Sequence, residues 1–476
     1  MGKIKKNQIR VSFVGGNAED VTGSMTLIES KDFKILFECG LIQSNNVKSD
    51  YYSNKRKLTF KPKEIDYIFL GHFHADHSLL IPRLVAEGFQ GRIIAPVGTS
   101  KFFNAMALDS AFIMSKDVET LSNKYGLDVF PIYTSDDVAD TMPLFEEHEI
   151  NQVIELNDYI TFKFIPSGHI ICACQCEMWL KCGSQTKKIV FTSDLGNVSC
   201  PKPFTLPLSR VDKANLVVAE TTYGDNKRAV GIKDREKDLE KIYSVITDVC
   251  IERKSKVLIP IFSLDRCQLI MLLLYRMFKD DKSFEIPIIV DSPLAQKMCK
   301  LYCDTLVGDD LKLWREVMCW KNFKYPAEYC DSKAFMESDE PCVALAASGF
   351  MAAGRSRQWA KVLLPNHNAQ ILFVGYSSEN ALAGKIKYGN AQKTISIDGK
   401  QYRNRCGVTD LKSFTSHMQR NDMLDYYSSI NCERICLVHG DMKGKLEFAE
   451  ALKNEVSKRD RSTKIICVNK STEILL

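Results

Sequence analysis

Residues 69–80 read FLGHFHADHSLL and hold three of the chain's eight histidines, His72, His74 and His77, with Asp76 among them. An apolar-rich run, residues 65–70, precedes them, and a helix-like stretch, residues 79–87, follows. That pattern predicts a strand end, a tight loop and a helix start. In an extended loop His72 and His74 point the same way. Asp76 and His77, at the helix entrance, are free to aim at a second point a few ångströms off. Two ligand pairs for two neighbouring metal ions is the chemical reading. Imidazole nitrogen and carboxylate oxygen suit zinc, and less exclusively manganese or iron. Ordinary surface histidines are the competing explanation, but clustering of this density points to a functional site.

At 476 residues the chain is long enough for two to four domains. Hydrophobic content of 45% and charged content of 26% describe an ordinary soluble protein. With 64 basic against 59 acidic residues, the net charge of +5 gives no global argument for a polyanionic substrate. Any nucleic-acid groove must come from local placement of charge. Seventeen cysteines are too sparse for a disulfide scaffold, and no CxxC occurs. The basic N-terminus has no apolar signal core, and no apolar run is long enough to span a bilayer. The expectation is a protein of the reducing cytoplasm with no membrane partner.

Residues 9–14, 24–29 and 33–37 read as short strands, and the third ends at Glu38, placed to support a ligand histidine by hydrogen bond. Residues 44–63 read as loop. Residues 160–166 lead into His169, and residues 188–193 into Asp194. Candidate ligands thus recur just past strand ends. Cys172, Cys174 and Cys176 alternate on one face. A thiolate site and packing as small buried hydrophobes both remain open for them.

From about residue 208 the texture changes. Residues 216–219, 257–261, 286–290, 342–346 and 371–374 are short apolar runs alternating with helix-like segments. Strands apolar on both faces imply a parallel sheet covered by helices. From about residue 395 the earlier strand pattern resumes, at residues 393–397 and 401–406, before closing helices at 422–428 and 443–453. The order expected is one domain over 1–207 and 395–476, interrupted by a second over 208–394.

If the C-terminal part rejoins the first domain, His439, past the apolar residues 435–438, reaches the second metal. His72, His74 and His169 then hold one ion, Asp76, His77 and His439 the other, and Asp194 bridges with its two oxygens. Two metals about 3.5–4 Å apart can clamp a phosphoryl oxygen and lower the pKa of a bound water. His417, in SFTSH, is left without a metal and suits proton donation to a leaving alkoxide, with Glu220 as its partner. His148 and His367 read as surface residues.

Taken together, these residues resemble the β-CASP branch of the metallo-β-lactamase superfamily, which includes the RNA 3′-end-processing endonucleases and RNase J. Glu38, HFHADH, SGHI and SDLG fall at the family's first four motifs. AETTYG supplies the acid of motif A at Glu220, SFTSH motif B at His417, and LVHGD motif C at His439. IPIFSLDRCQ, VDSPLA, AASGFMAAGR and VGYSSENALAG match signatures of the inserted domain. The similarity runs over nearly the whole chain. Histidine at motif C resembles the RNA-directed members rather than the DNA-repair branch. Four positions depart from the pattern: Glu38 is usually Asp, Ser193 usually Gly, Gly71 usually a hydroxyl residue, and Ile171-Cys172 stand where a glycine and a small residue are common.

The resemblance implies an α/β fold, the metallo-β-lactamase αββα sandwich with an inserted β-CASP domain, whose parallel sheet is flanked by helices. It implies a dizinc ribonuclease, more endonucleolytic than 5′-to-3′ exonucleolytic, in which metal-activated water attacks phosphorus, His417 protonates the leaving oxygen and Glu220 orients it. Its partner is single-stranded RNA, with a homodimer compatible. The family's RNA path further implies phosphate contacts from the backbone of Ser348 and Gly349 and from Arg266, Arg355 and Arg357. Structural ion pairs are the alternative for those arginines. The competing functions are a dizinc hydrolase of DNA or a small ester, and an inactive RNA- or partner-binding scaffold.

Overall fold

A computed structural model describes residues 4–5, 7–44, 46–225, 230–375, 377–389, 394–459 and 462–476. The chain forms two compact units, Met1–Pro201 with Thr205–Ala229 and Ser416–Leu476, and Lys202–Phe204 with Val230–Thr415.

The first unit is built on two seven-stranded sheets. One runs, in spatial order, Glu473–Leu475, Arg10–Phe13, Thr26–Glu29, Lys34–Phe37, Tyr67–Phe69, Arg92–Pro96, Phe145–His148. The other runs Lys464–Cys467, Asn431–Val438, Lys213–Glu220, Gln185–Phe191, Cys174–Cys182, Ile160–Pro166, Ile154–Glu155. Alternating apolar residues of both sheets make one shared core. Phe37 stacks on Phe191 at 4.1 Å, and Phe69 meets Phe162 edge-on at 5.1 Å. The other face of the second sheet presents Val190, Val217 and Leu437 to Tyr427, Phe448 and Leu452 of the helices Arg420–Ser429 and Met442–Ser457. On the first sheet, Phe103 of the helix Thr99–Tyr125 lies 5.0 Å from Phe145. The result is helix, sheet, sheet, helix, the metallo-β-lactamase sandwich.

The second unit has a six-stranded sheet, Phe323–Lys324, Ile288–Asp291, Cys342–Ala346, Lys256–Pro260, Gln370–Phe373, Gly407–Asp410, with every pairing parallel. Its core gathers Leu258, Ala344, Ile371, Trp359 and Leu363. Here the structure corrects both expected boundaries: the strand Lys213–Glu220, expected in the second domain, pairs in the first unit's sheet, so the second unit resumes only at Val230. The strand Gly407–Asp410 pairs with Gln370–Phe373, and Ile395 and Ile397 enter this core, so residues 394–415 belong to the second unit. Their alternation resembles that of the first domain, but periodicity carries no record of which sheet a strand joins. Lys393, where that strand was expected to begin, lies outside the described residues.

A second correction falls on residues 44–63, expected as loop. The helix Val47–Lys55 forms there, capped by Asn46, whose side chain accepts from Ser49 N at 3.0 Å. It has no apolar stripe for periodicity to detect. It docks instead through buried Asn54, which exchanges bonds of 2.7 and 2.6 Å with the backbone of Ile42.

The metal-type loop is fixed by backbone before any side chain acts. Ser24 N donates to Asp76 O at 2.7 Å, Cys39 N to His77 O at 2.8 Å, and Leu41 N to Ala75 O at 2.9 Å. Gly40 lies so close that a Cβ there would sit 1.7 Å from Asp76 O, a backbone atom unable to yield cheaply. Gly40→Ala is therefore expected to cost about 1–3 kcal/mol or more, as overpacking does. A lowered unfolding midpoint checks this, and an unchanged one would show that the loop is loosely held.

Candidate metal centre

Every candidate ligand leaves the carboxyl end of a strand or the loop just beyond it. Gln185–Phe191, Lys213–Glu220 and Asn431–Val438 lie side by side in parallel, with Phe191 opposite Val218 and Glu220 opposite Val438. Asp194, Glu220 and His439 therefore emerge on one edge. Lys34–Phe37 and Tyr67–Phe69 do the same from the facing sheet, delivering Glu38 and the loop that begins at His72. At three of these exits the chain enters the left-handed region, at Glu38 (φ 61°), Ser193 (φ 49°) and His439 (φ 53°). Such non-glycine positions are uncommon and cluster where a site dictates direction.

Two pockets result. In the first, His74 Nδ1 lies 3.1 Å from His72 Nε2 and 3.3 Å from His169 Nε2, and Asp194 Oδ2 lies 3.5 Å from His72 Nε2 and 3.5 Å from His169 Nε2. In the second, His439 Nε2 lies 3.2 Å from His77 Nε2 and 3.4 Å from Asp76 Oδ2, while Asp194 Oδ1 lies 3.3 Å from His77 Nε2. One carboxylate thus turns one oxygen to each pocket. Ligands about 2.0–2.1 Å from a tetrahedral centre stand about 3.3 Å apart. The spacings match that figure, and the one nitrogen His74 Nδ1 faces two other ring nitrogens at once. Asp194 Oδ1 is buried without a well-aligned hydrogen bond. The donor set fits two divalent ions.

The electrostatics agree. Burial pushes His72 and His169 well below the usual histidine range, so each offers a neutral imidazole. For His77, burial also pushes downward, but the Asp194, Glu38 and Asp76 carboxylates together overcome it and hold the ring well above that range. His439 is raised in the same way, burial being outweighed chiefly by Asp194 and Asp76. Burial alone would raise Asp194, and the facing His77, His439 and His417 bring it well below the usual carboxylate range.

His417 lies at the rim of the first pocket, its ring 4.7 Å from that of His169, and groups with Asp194 and Glu220. It is partly exposed, 23% in its side chain, with Nδ1 3.8 Å from Asp194 Oδ2 and 3.8 Å from Glu220 Oε1. Glu220 is held by two backbone amides, Leu195 N at 3.0 Å and Thr222 N at 2.8 Å. Sequence reasoning passed over Thr222, whose Oγ1 lies 2.9 Å from His439 Nδ1. Its position in the ETTYG run was the available signal.

The expected phosphate contacts lie in the second unit. Arg355 and Trp359 both donate to the buried Asp291, Arg357 bonds Asp398 at 2.7 Å, and Arg266 donates to Val374 O. Arg355 and Arg357 would have to give up ion pairs to take a phosphate, so the structural alternative is the one this geometry favours for them. Ser348 N points to Ala353 O at 3.4 Å, within the AASGFMAAGR turn that also holds Gly349. Cys174 and Cys176 lie in the intersheet core, and burial pushes Cys172 up to about 12, which disfavours a thiolate. None of the three joins a ligand cluster among the described residues. His148 is half-buried and bonds Glu146 at 3.0 Å.

Paired sheets between helices, with histidines and carboxylates at one strand edge, define the metallo-β-lactamase superfamily, whose family model matches residues 18–148. Two further models match in order, the Beta-Casp domain over 267–386 and the Zn-dependent metallo-hydrolase RNA specificity domain over 401–465. The chain belongs to the β-CASP family of that superfamily. It is 27% identical over 446 residues to ribonuclease TTHA0252 of Thermus thermophilus, covering 92% of this chain and 94% of that one. It is 25% identical to transcription termination factor FttA of Methanocaldococcus jannaschii, covering 95% and 70%. It is 22% identical to endoribonuclease YSH1 of Candida albicans, covering 97% of this chain and 52% of the relative. A crystal structure of a protein of unknown function from Enterococcus faecalis shares the fold, with TM-score 0.55, 12% identity, and coverage of 98% and 100%. No helix among the described residues is long and apolar enough to cross a membrane.

The two pockets should respond differently to pH. In the ion-free protein His77 and His439 are raised, so an ion entering their pocket must displace protons, whereas His72 and His169 are already neutral. Affinity in the His77 pocket should fall more steeply as pH drops through neutrality. Calorimetric zinc titration in buffers of different ionisation enthalpy reads the protons released. Equal release at both steps would contradict the assignment.

Proposed function

We propose that the chain is a metal-dependent ribonuclease that cuts internal phosphodiester bonds of single-stranded RNA with two zinc ions. The observation that carries this reading is the position of Asp194, which faces both histidine pockets with one oxygen each. The ribonuclease and endoribonuclease names of its relatives support the substrate class, and the family description supports zinc.

His72, His74 and His169 would hold one ion, Asp76, His77 and His439 the other, and Asp194 both. Ions bound there supply Lewis acidity at the phosphoryl oxygens and activate water near neutral pH. The remaining task is a proton for the leaving oxygen. His417 is the group for it, because it is exposed enough to meet substrate and is not needed as a ligand. The Asp194 and Glu220 carboxylates, each 3.8 Å from Nδ1, favour the ring orientation that leaves the other nitrogen for the substrate. Glu220, pinned by two amides, cannot turn away.

End-labelled single-stranded RNA incubated with the protein should be cut internally, with activity lost to a chelator and restored by zinc. Products one nucleotide long from an end would replace internal cutting with exonucleolysis, and chelator-resistant or absent cleavage would remove the reading. His417→Ala should keep both ions and lose at least about 100-fold in cleavage rate, the usual scale of general acid catalysis. Turnover near that of the unaltered chain would take His417 out of the mechanism.

A further inference from the structure

We propose that Ser193 is a positioning residue that extends the reach of Glu38 from one metal pocket to both. The inference rests on the two-ion reading of the site. Glu38 Oε2 accepts from His77 Nδ1 at 2.7 Å. Its other oxygen, Oε1, is 3.9 Å from His72 Nδ1, too far for a hydrogen bond. Ser193 fills the gap. Its Oγ donates to Glu38 Oε1 at 2.5 Å and lies 2.9 Å from His72 Nδ1. A hydroxyl has one proton. With that proton spent on Glu38, Ser193 can only accept from His72, so His72 carries its proton on Nδ1. Glu38, an acceptor when ionised, sets the same tautomer on His77. Once an ion displaces the second proton of His77, both rings would present a lone pair on Nε2 beside Asp194, one in each pocket.

The relay is buried and has a defined seat. Glu38 is 4% exposed and Ser193 8%, so no bulk water competes for these bonds. A Cβ on Gly71 would fall 2.4 Å from Ser193 Oγ and 2.5 Å from its Cβ. Position 71 must therefore lack a side chain for Ser193 to sit there. The longer acid at 38, the hydroxyl at 193 and the glycine at 71 are one arrangement rather than three separate departures. The carboxylate of Asp194 faces both pockets from the front, and Glu38 supports both from behind, directly through His77 and through Ser193 to His72. Among the described residues His169 has no such backing, its buried Nδ1 having no partner there.

Zinc competition against a chromophoric chelator tests this without any RNA. His169→Ala and His439→Ala, each sparing one pocket, assign the two binding steps. Glycine suits a φ of 49°, so Ser193→Gly removes the hydroxyl without straining the turn, and Ser193→Ala removes it with a side chain kept. Both should weaken the His72 pocket about 10–100-fold, the range for losing a partner behind a ligand, and leave the His77 pocket nearly unchanged. Glu38→Gln should weaken both. The proposal fails if Ser193→Gly binds both ions as tightly as the unaltered chain, or weakens both pockets equally. It also fails if the Ala and Gly variants disagree, or if Glu38→Gln touches only the His77 pocket. An unaltered chain that takes up no zinc ends this proposal together with the two-ion reading. Chelator-sensitive RNA cleavage with unaltered affinities in Ser193→Gly ends this one alone.

Discussion

A buried carboxylate surrounded by ring nitrogens is the interaction on which the molecule is organised. Asp194 is 2% exposed, and His72, His77 and His169 are equally enclosed. Withdrawing such groups from water costs several kcal/mol each unless charge is matched to charge. In the ion-free protein the raised histidines His77 and His439 supply part of that match. Cations seated between the nitrogens and oxygens would complete that match, and the donor spacings near 3.3 Å suit them.

Bringing that carboxylate to those rings is work for the backbone. Parallel neighbours in one sheet end at the same level, which is why Asp194, Glu220 and His439, far apart in sequence, share an edge. The loops then lock by amide bonds, His439 N to Asn17 O at 2.8 Å, Met418 N to Leu195 O at 2.8 Å, Gly196 N to Ser167 O at 2.9 Å. Gly196 has no space for a side chain, because its Cβ would meet Gly168 O at 1.7 Å. The side chains of the site are thus placed by close backbone approach, and the left-handed turns at Glu38, Ser193 and His439 give the final direction.

Support behind the ligands is uneven. Thr222 stands behind His439, Glu38 behind His77, and Ser193 with Glu38 behind His72. Such partners orient a ring and raise its basicity, so they bear on metal affinity almost as the ligands do. His417 belongs to a different category. It sits at the rim with two acids within 3.8 Å, partly exposed where His72, His77, His169 and His439 are enclosed.

The metal loop, the strand-end positions of His169, Asp194 and His439, and the two kinds of sheet were legible in the sequence, because each is a local signal: ligand spacing, a turn after an apolar run, a period of two or none. The helix Val47–Lys55 was not, since it docks through Asn54 and has no apolar stripe. Residues 394–415 were not, since a strand's period does not name its partner. Nor were the acids that engage Arg355 and Arg357, because Asp291 and Asp398 are distant in sequence and near only after folding. Residue type and spacing by themselves determined which chemistry the chain can perform, because ligand preference belongs to the side chain. Only the tertiary structure decided which oxygen of Asp194 faces which pocket and that Ser193 joins Glu38 to His72, because differences of about an ångström in such contacts are set where separate strands meet.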